Sequence, residues 1–201
     1  AMGSIAEIVG PEMQDKLTEY VARGIRDGSE DGGTEGIAEL NEIFNGDQEV
    51  VNAYIELDLE DGKLDEATEI AEQLKYIKAE IPPDMQILFG IDIENPEDFE
   101  KLSDPTTVDT LSQIGKAMQE LPEEEKQLGA EFAMSQINNG EPISLKSFRK
   151  DFKEITKLTK DMEGKSVEEK RQMAIDVVTK VNGAEVDPSE VTAVYDDLIE
   201  E

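Results

Sequence analysis

The sequence contains no cysteine, no histidine and no tryptophan. Without cysteine there are no disulfides, thiolate nucleophiles, Cys-ligated zinc sites or iron–sulfur clusters, and nothing reports a redox compartment. Without histidine the usual general base near neutral pH is missing, along with every Ser-His triad and nearly all imidazole metal sites. No run approaches the roughly 18 apolar residues of a membrane span, and the N-terminus lacks the basic-then-apolar order of a secretory signal. Ala1 to Ser4, AMGS, reads as a cloning scar, so the native start is expected to be hidden and a removed signal or a larger parent chain stays compatible with the sequence.

Positive charge is also scarce. Lys and Arg number 19 against 49 Asp and Glu, a net of −30. That balance opposes compaction and repels nucleic-acid phosphates and anionic lipid, so direct nucleic-acid or membrane binding is not expected. With 201 residues and 37% hydrophobic content the chain can bury one medium core or two small ones. Residues 1–81 carry 6 basic and 21 acidic groups, and residues 82–143 carry 3 and 14. Residues 144–171 differ, with 9 basic against 6 acidic.

That last window holds the clearest helical period. In Ser144 to Gly164, Leu145, Phe148, Phe152, Ile155, Leu158 and Met162 recur at steps of three and four, with Ser144 as cap and Gly164 as stop. Lys146, Arg149, Lys150, Lys153, Lys157 and Lys160 fill the other faces. Plain decoration of an exposed helix, with weak pairs such as Glu154 and Lys157, would produce the same pattern.

Similar signals punctuate the rest of the chain. Pro11 and Gly28 bracket a helix with Met13, Leu17, Val21 and Ile25 on one stripe. The acidic loop Asp27 to Gly36 places Asp27, Ser29, Asp31 and Gly32 as a calcium loop would, but Thr34 and Ala38 stand where an EF-hand needs an aliphatic residue and Glu. Thr34 is expected to cap a helix with Ile37, Leu40, Ile43 and Phe44, stopped by Asn45-Gly46. Asp47 caps the next, with Val50, Val51, Tyr54, Ile55 and Leu59 inward, up to an Asp61-Gly62 turn. Asp65 caps a helix from Leu64 lined by Ala67, Ile70, Ala71, Leu74, Ile77 and Ile81, and Pro82-Pro83 ends it. Around Gly62, the positions of Ala67, Ala71 and Leu74 resemble one tetratricopeptide unit; Ile55 and Asp58 depart from it, and no copy recurs at a 34-residue offset, leaving a generic helical hairpin.

Gln86 to Ile93 is rich in Ile and Phe and is the one segment with extended character; a packed connector or a short helix from Asp84 fits it better than a lone strand. Asn95-Pro96 and Asp104-Pro105 each pair a cap with proline at N1, the second opening a helix with Val108, Leu111, Ile114, Met118 and Leu121. Pro122 precedes Glu123, Glu124 and Glu125, placed where the dipole favours anions, with Leu128, Phe132, Ala133 and Ile137 inward and Asn138 to Gly140 as the stop. Ser166 to Glu169 forms a capping box for a helix with Met173, Ala174, Val177, Val178 and Val181, stopped by Asn182-Gly183. Asp187 to Glu190 repeats that start for Val191, Val194, Tyr195 and Leu198. The expectation is an all-α, irregular multi-helix bundle of about nine helices with little or no β, divided into a scar (1–4), an N-terminal helical subdomain (5–81), a connector (82–103) and a C-terminal helical subdomain (104–201).

Three function classes follow. Glutamate pairs Glu39/Glu42 and Glu69/Glu72 at i, i+3 loosely resemble the acidic metal site of all-α nucleotide pyrophosphohydrolases, but no EExxE run partners a downstream ExxD, and in so acidic a chain such pairs arise by chance. Ser144, Lys146 and Ser147 could compose a Ser-Lys dyad, though capping and surface roles account for all three. No catalytic residue, metal or cofactor is therefore expected. A rigid acidic surface suits recognition of a basic protein, as nucleic-acid mimics do. An acidic helical scaffold or virion protein, self-associating through its basic segment, is the alternative. High-salt adaptation fits poorly, since Lys outnumbers Arg 15 to 4 and Glu outnumbers Asp 31 to 18. The sequence reading is thus a non-catalytic, cytoplasmic or virion-associated interaction module for a basic partner, with Glu123, Glu124, Glu125, Lys150, Lys153 and Lys157 as partner-binding residues and homo-oligomerisation possible.

Overall fold

Caps, prolines and left-handed glycines cut the chain into short helices, and the computed structural model describes residues 2–61, 66–182 and 193–200. Among these residues there are twelve α-helices and no strand. In order they are α1 (Met2–Val9), α2 (Gln14–Arg26), α3 (Thr34–Ile43), α4 (Gln48–Asp61), α5 (Glu66–Glu80), α6 (Pro83–Phe89), α7 (Pro96–Lys101), α8 (Pro105–Met118), α9 (Glu123–Asn138), α10 (Leu145–Asp161), α11 (Val167–Asn182) and α12 (Ala193–Glu200). The all-α expectation holds, and the count of about nine is too low. α1 is not among the expected helices, and α6 is the short helix that is one of the two expectations for Gln86 to Ile93. α1 covers residues assigned to the scar, yet Ile5 and Val9 are buried. Gln86 to Phe89 is helical, because Pro83 supplies a helix start and Gly90, at φ 64°, ends it.

The chain divides into two compact units, residues 1–83 with 91–105 and residues 84–90 with 106–201. Residues 84–90 and 91–105, which sequence reading grouped largely as one connector, thus belong to different units.

In the first unit α3 and α5 make the most extensive helix pair. Their backbones approach because Gly36 has no side chain; a Cβ there would lie 2.5 Å from the Thr68 nitrogen. Ala67 and Ala71 are correspondingly small, and Ile37, Leu40, Leu74 and Ile77 fill the seam with no solvent exposure. Each such buried aliphatic chain contributes about 1.5–3 kcal/mol. Tyr54 of α4 stacks on Phe44 at 5.2 Å, meets Phe99 edge-on at 5.5 Å and donates its hydroxyl to the Ile93 carbonyl at 2.6 Å. Gln73 donates to the Leu102 carbonyl at 2.9 Å, so α7 and its flanks are fastened to α4 and α5 at two points.

In the second unit Val108, Leu111, Ile114 and Met118 of α8 are buried as their spacing predicts. Met85 of α6 fills the space left by Gly115, and Met118 the space left by Gly129 of α9. An aromatic row joins α9 to α10, with Phe132 6.1 Å from Phe148 and Phe148 stacked 5.3 Å from Phe152. α11 packs on α10 and α12, and α12 reaches α9.

Several stripes are rotated from their expected register. Ile25 is 59% exposed, and α2 instead buries Leu17, Tyr20, Val21 and Gly24. On α4 the residue after Ile55 on the inner face is Asp58, 1% exposed, while Leu59 is half-buried. α9 turns Gly129, Phe132, Ala133 and Gln136 inward and leaves Leu128 and Ile137 half-exposed. On α10 Phe152 is half-buried and Asp151 is buried. Thr34 is not a cap: its hydroxyl donates to the Asp31 carbonyl, and the Asp31 carboxylate accepts from Glu35 N at 2.7 Å and Gly33 N at 3.2 Å. Expected caps at Asp47, Asn95, Ser144 and Ser166 are present. The Gly62 turn, the Leu64 start with its Asp65 cap, the Gly183 stop, the Asp187 to Glu190 start and the side chains of Val181, Val191 and Val194 lie outside the described residues.

Candidate interaction surfaces

Glu123, Glu124 and Glu125 form the first turn of α9, after Pro122 holds the chain extended at φ −56°, ψ 152°. Their charge is partly neutralised locally. Lys126 lies 3.0 Å from Glu123 as an i, i+3 pair, and the positive end of the helix dipole sits beneath all three. Glu123 and Glu124 are exposed and Glu125 is half-buried. Glu123 and Lys126 also line a groove with Asp84, Met85, Leu88, Gly115 and Gln119. Ile87 of α6 is 82% exposed.

Lys150, Lys153 and Lys157 project from the opposite kind of surface. The α10 helix is fixed by a reciprocal Ser144–Ser147 capping box and by burial of Phe148, Ile155 and Leu158. At about 100° per residue, these three lysines fall with Lys146, Arg149 and Lys160 inside one arc of about 100° on the far side. All six are exposed, and none makes a salt bridge among the described residues. Glu154, off the arc, is taken by Lys180 of α11 at 3.0 Å, and that hydrogen bond and charge hold its carboxyl below the usual range. Ser144 and Ser147 bond each other within the cap, and Lys146 lies with the exposed cations.

Carboxylates dominate the first unit, which carries 7 basic and 27 acidic residues, a net of −20. Its salt bridges are Lys16–Glu56, Arg26–Asp27, Lys75–Glu39 and Lys101–Asp98 among the described residues. Glu12, Asp15, Glu19, Glu30, Glu35 and Glu49 are exposed and outside those bridges. The second unit carries 12 basic and 22 acidic residues, a net of −10.

The loop that resembles a calcium site in sequence spends its central carboxylate on backbone. Asp31 accepts from two amides and from Ser29 Oγ at 2.9 Å, and these bonds, the Glu35 amide first, hold its pKa below the usual range. Glu39 bonds Lys75 at 2.6 Å, so one member of the Glu39/Glu42 pair is engaged. Among the described residues no group of three or more potential metal-ligating side chains converges.

Two buried carboxylates escaped sequence reading. Asp58 faces Tyr20 inside the first unit, where burial and then the Asp58 carboxylate keep the tyrosine protonated. Asp151 faces Tyr195 inside the second, and burial pushes the Asp151 carboxyl up against the pull of Lys150. The signal was present: Asp58 continues the 51-54-55 stripe and Asp151 lies between Phe148 and Ile155 at i+3. No helix is long and apolar enough to cross a membrane among the described residues. Comparison with family models, curated proteins and solved structures gives no match.

Proposed function

We propose that the protein is a non-catalytic interaction module whose acidic surface recognises a basic protein partner. The observation that carries this reading is the first unit's net of −20, displayed as exposed carboxylates on rigid helices with few cations to neutralise them. Such a field accelerates association with a cationic surface and weakens as salt screens it. Glu123, Glu124 and Glu125 add to it from the second unit, at a strength reduced by Lys126 and the helix terminus. A cytoplasmic or virion-associated setting suits this role, as does mimicry of a nucleic-acid charge pattern.

The test is capture of partners from host lysate at low and high salt, followed by association kinetics with each captured protein. Basic partners that release as salt rises, and that associate more slowly with a chain carrying Glu123→Gln, Glu124→Gln and Glu125→Gln, support the reading. Partners held equally at both salts and insensitive to these substitutions reject it.

A further inference from the structure

Lys146, Arg149, Lys150, Lys153, Lys157 and Lys160 occupy every position of their arc on α10, so the stripe runs for about 21 Å without an acidic interruption. The capping box and the buried opposite face hold it outward, and no salt bridge among the described residues neutralises it. With screening over about 10 Å at 0.1 M salt, the stripe's six cations face only the nearby carboxylates of their own helix, of which Glu154 is taken by Lys180, so the stripe acts as a local positive surface despite the overall −30.

We propose that this stripe docks on the acidic surface of a second copy of the same chain. The inference rests on the reading of that surface as a receptor for basic proteins, and it names α10 as one such partner. Charge complementarity selects the occupant: the first unit carries a net of −20 and exposes Asp15 and Glu19 one turn apart on α2, with Glu35 on α3 and Glu49 on α4 also exposed. A nucleic-acid duplex offers one charge per about 1.7 Å of axis. That row of phosphates has no cation to set against Asp161 and Asp176 of the α10–α11 groove beside the stripe, which Lys157 and the Lys180–Glu154 bridge also line. The first unit, by contrast, exposes Lys16 and Arg26 among its carboxylates.

Self-docking between two molecules of −30 has a distinctive salt response. At about 0.01 M, where screening extends about 30 Å, whole-molecule repulsion opposes contact; near 0.1 M only local complementarity survives; at about 1 M, with screening at about 3 Å, that is lost as well. Sedimentation velocity of the full chain should therefore show a mean mass that rises from 0.01 to 0.1 M salt and falls again by 1 M. Lys150→Glu with Lys153→Glu and Lys157→Glu should leave a monomer at every salt, with unchanged helicity by circular dichroism. Lys→Gln at the same positions should give a partial loss.

A wild-type chain that is monomeric throughout, or association unchanged by the reversals, overturns the proposal. A parallel titration with a lysine-rich peptide separates the two ideas. Peptide binding by a chain that never self-associates rejects self-docking and leaves the acidic reading intact; absence of both rejects both. A monomeric wild type that binds duplex DNA, with binding lost in the reversal variant, also overturns the proposal and assigns the stripe to nucleic acid.

Discussion

In the first unit two helical glycines meet backbone: a Cβ on Gly36 would lie 2.5 Å from the Thr68 nitrogen, and one on Gly24 would lie 2.7 Å from the Gly32 Cα. In the second unit glycine meets methionine: Gly115 faces the Met85 sulfur and Gly129 the Met118 sulfur, each 2.5 Å from the added carbon. At Gly36 the backbone is held in two helices, α3 and α5, and cannot withdraw, whereas a thioether can rotate through three bonds. The units differ in charge as well, −20 against −10, and the second alone carries a continuous cationic stripe. The backbone-to-backbone approaches thus occur in the unit with the greater self-repulsion, where packing has the more to offset.

The sharpest contrast should come from glycine substitutions. In an exposed helix Gly→Ala gains up to about 1 kcal/mol, and overpacking costs about 1–3 kcal/mol. Gly36→Ala should destabilise the chain by about 2 kcal/mol, seen as a lower midpoint in urea, because Thr68 N and the Ala67 carbonyl carbon cannot move. Gly115→Ala should stay within about 1 kcal/mol of wild type, as Met85 yields and propensity compensates. Equal losses at both positions would erase the distinction.

Carboxylates give a second contrast, of opposite sign. Asp31 has a lowered pKa, so its stabilisation is present above the ordinary value of 3.8 and is lost as pH falls. Asp31→Ala should cost about 1 kcal/mol at pH 7, the usual loss of an N-terminal cap, with the difference closing in acid. Asp151 has a raised pKa, so protonation favours the folded state and stability from this group falls as pH rises above 3.8 through the raised value. Asp151→Asn should therefore stabilise at pH 7 by about 1 kcal/mol and make little difference near pH 4, read from melting curves at the two pH values. Destabilisation at pH 7 would show that the Asp151 charge is used within the fold.

The smallest effect is expected at the exposed Lys180–Glu154 bridge, where Lys180→Gln should leave the melting temperature within error, since such pairs contribute little. Calcium should be equally inert, because the Asp31 oxygens already serve the Glu35 and Gly33 amides. A rise of several degrees at low millimolar calcium would reopen the loop as a site.

Caps and stops were the most legible part of the fold. Asp47, Asn95, Ser144 and Ser166 do locally what their neighbours in sequence predict, since an N-cap needs only the next three residues. Stripe register was less legible. Ile25 and Leu59 are apolar and sit near the predicted face, but Tyr20, Gly24 and Asp58 are inside because tertiary partners, Gly33 against the Tyr20 ring and Gly32 against Gly24, choose the exact angle of each helix. Thr34 misled for a related reason: the loop closes on Asp31, three residues earlier, once Gly32 and Gly33 adopt φ 66° and 79°. At the candidate surfaces, the cationic arc was foreseeable from the spacing of Lys146 to Lys160. The partial neutralisation of Glu123 by Lys126 was foreseeable only as an i, i+3 possibility, and the Asp58–Tyr20 and Asp151–Tyr195 pairs required the helices to be placed.

The electrostatic division between an acidic receptor surface and a cationic stripe is tested most directly by stopped-flow association with a captured basic partner, for two variants side by side. Glu123→Gln, Glu124→Gln and Glu125→Gln should slow association and flatten its salt dependence. Lys150→Glu, Lys153→Glu and Lys157→Glu should leave the rate unchanged or raise it, because the chain becomes more acidic. Rates that ignore both sets of substitutions, or that fall only with the lysine reversals, would contradict the account.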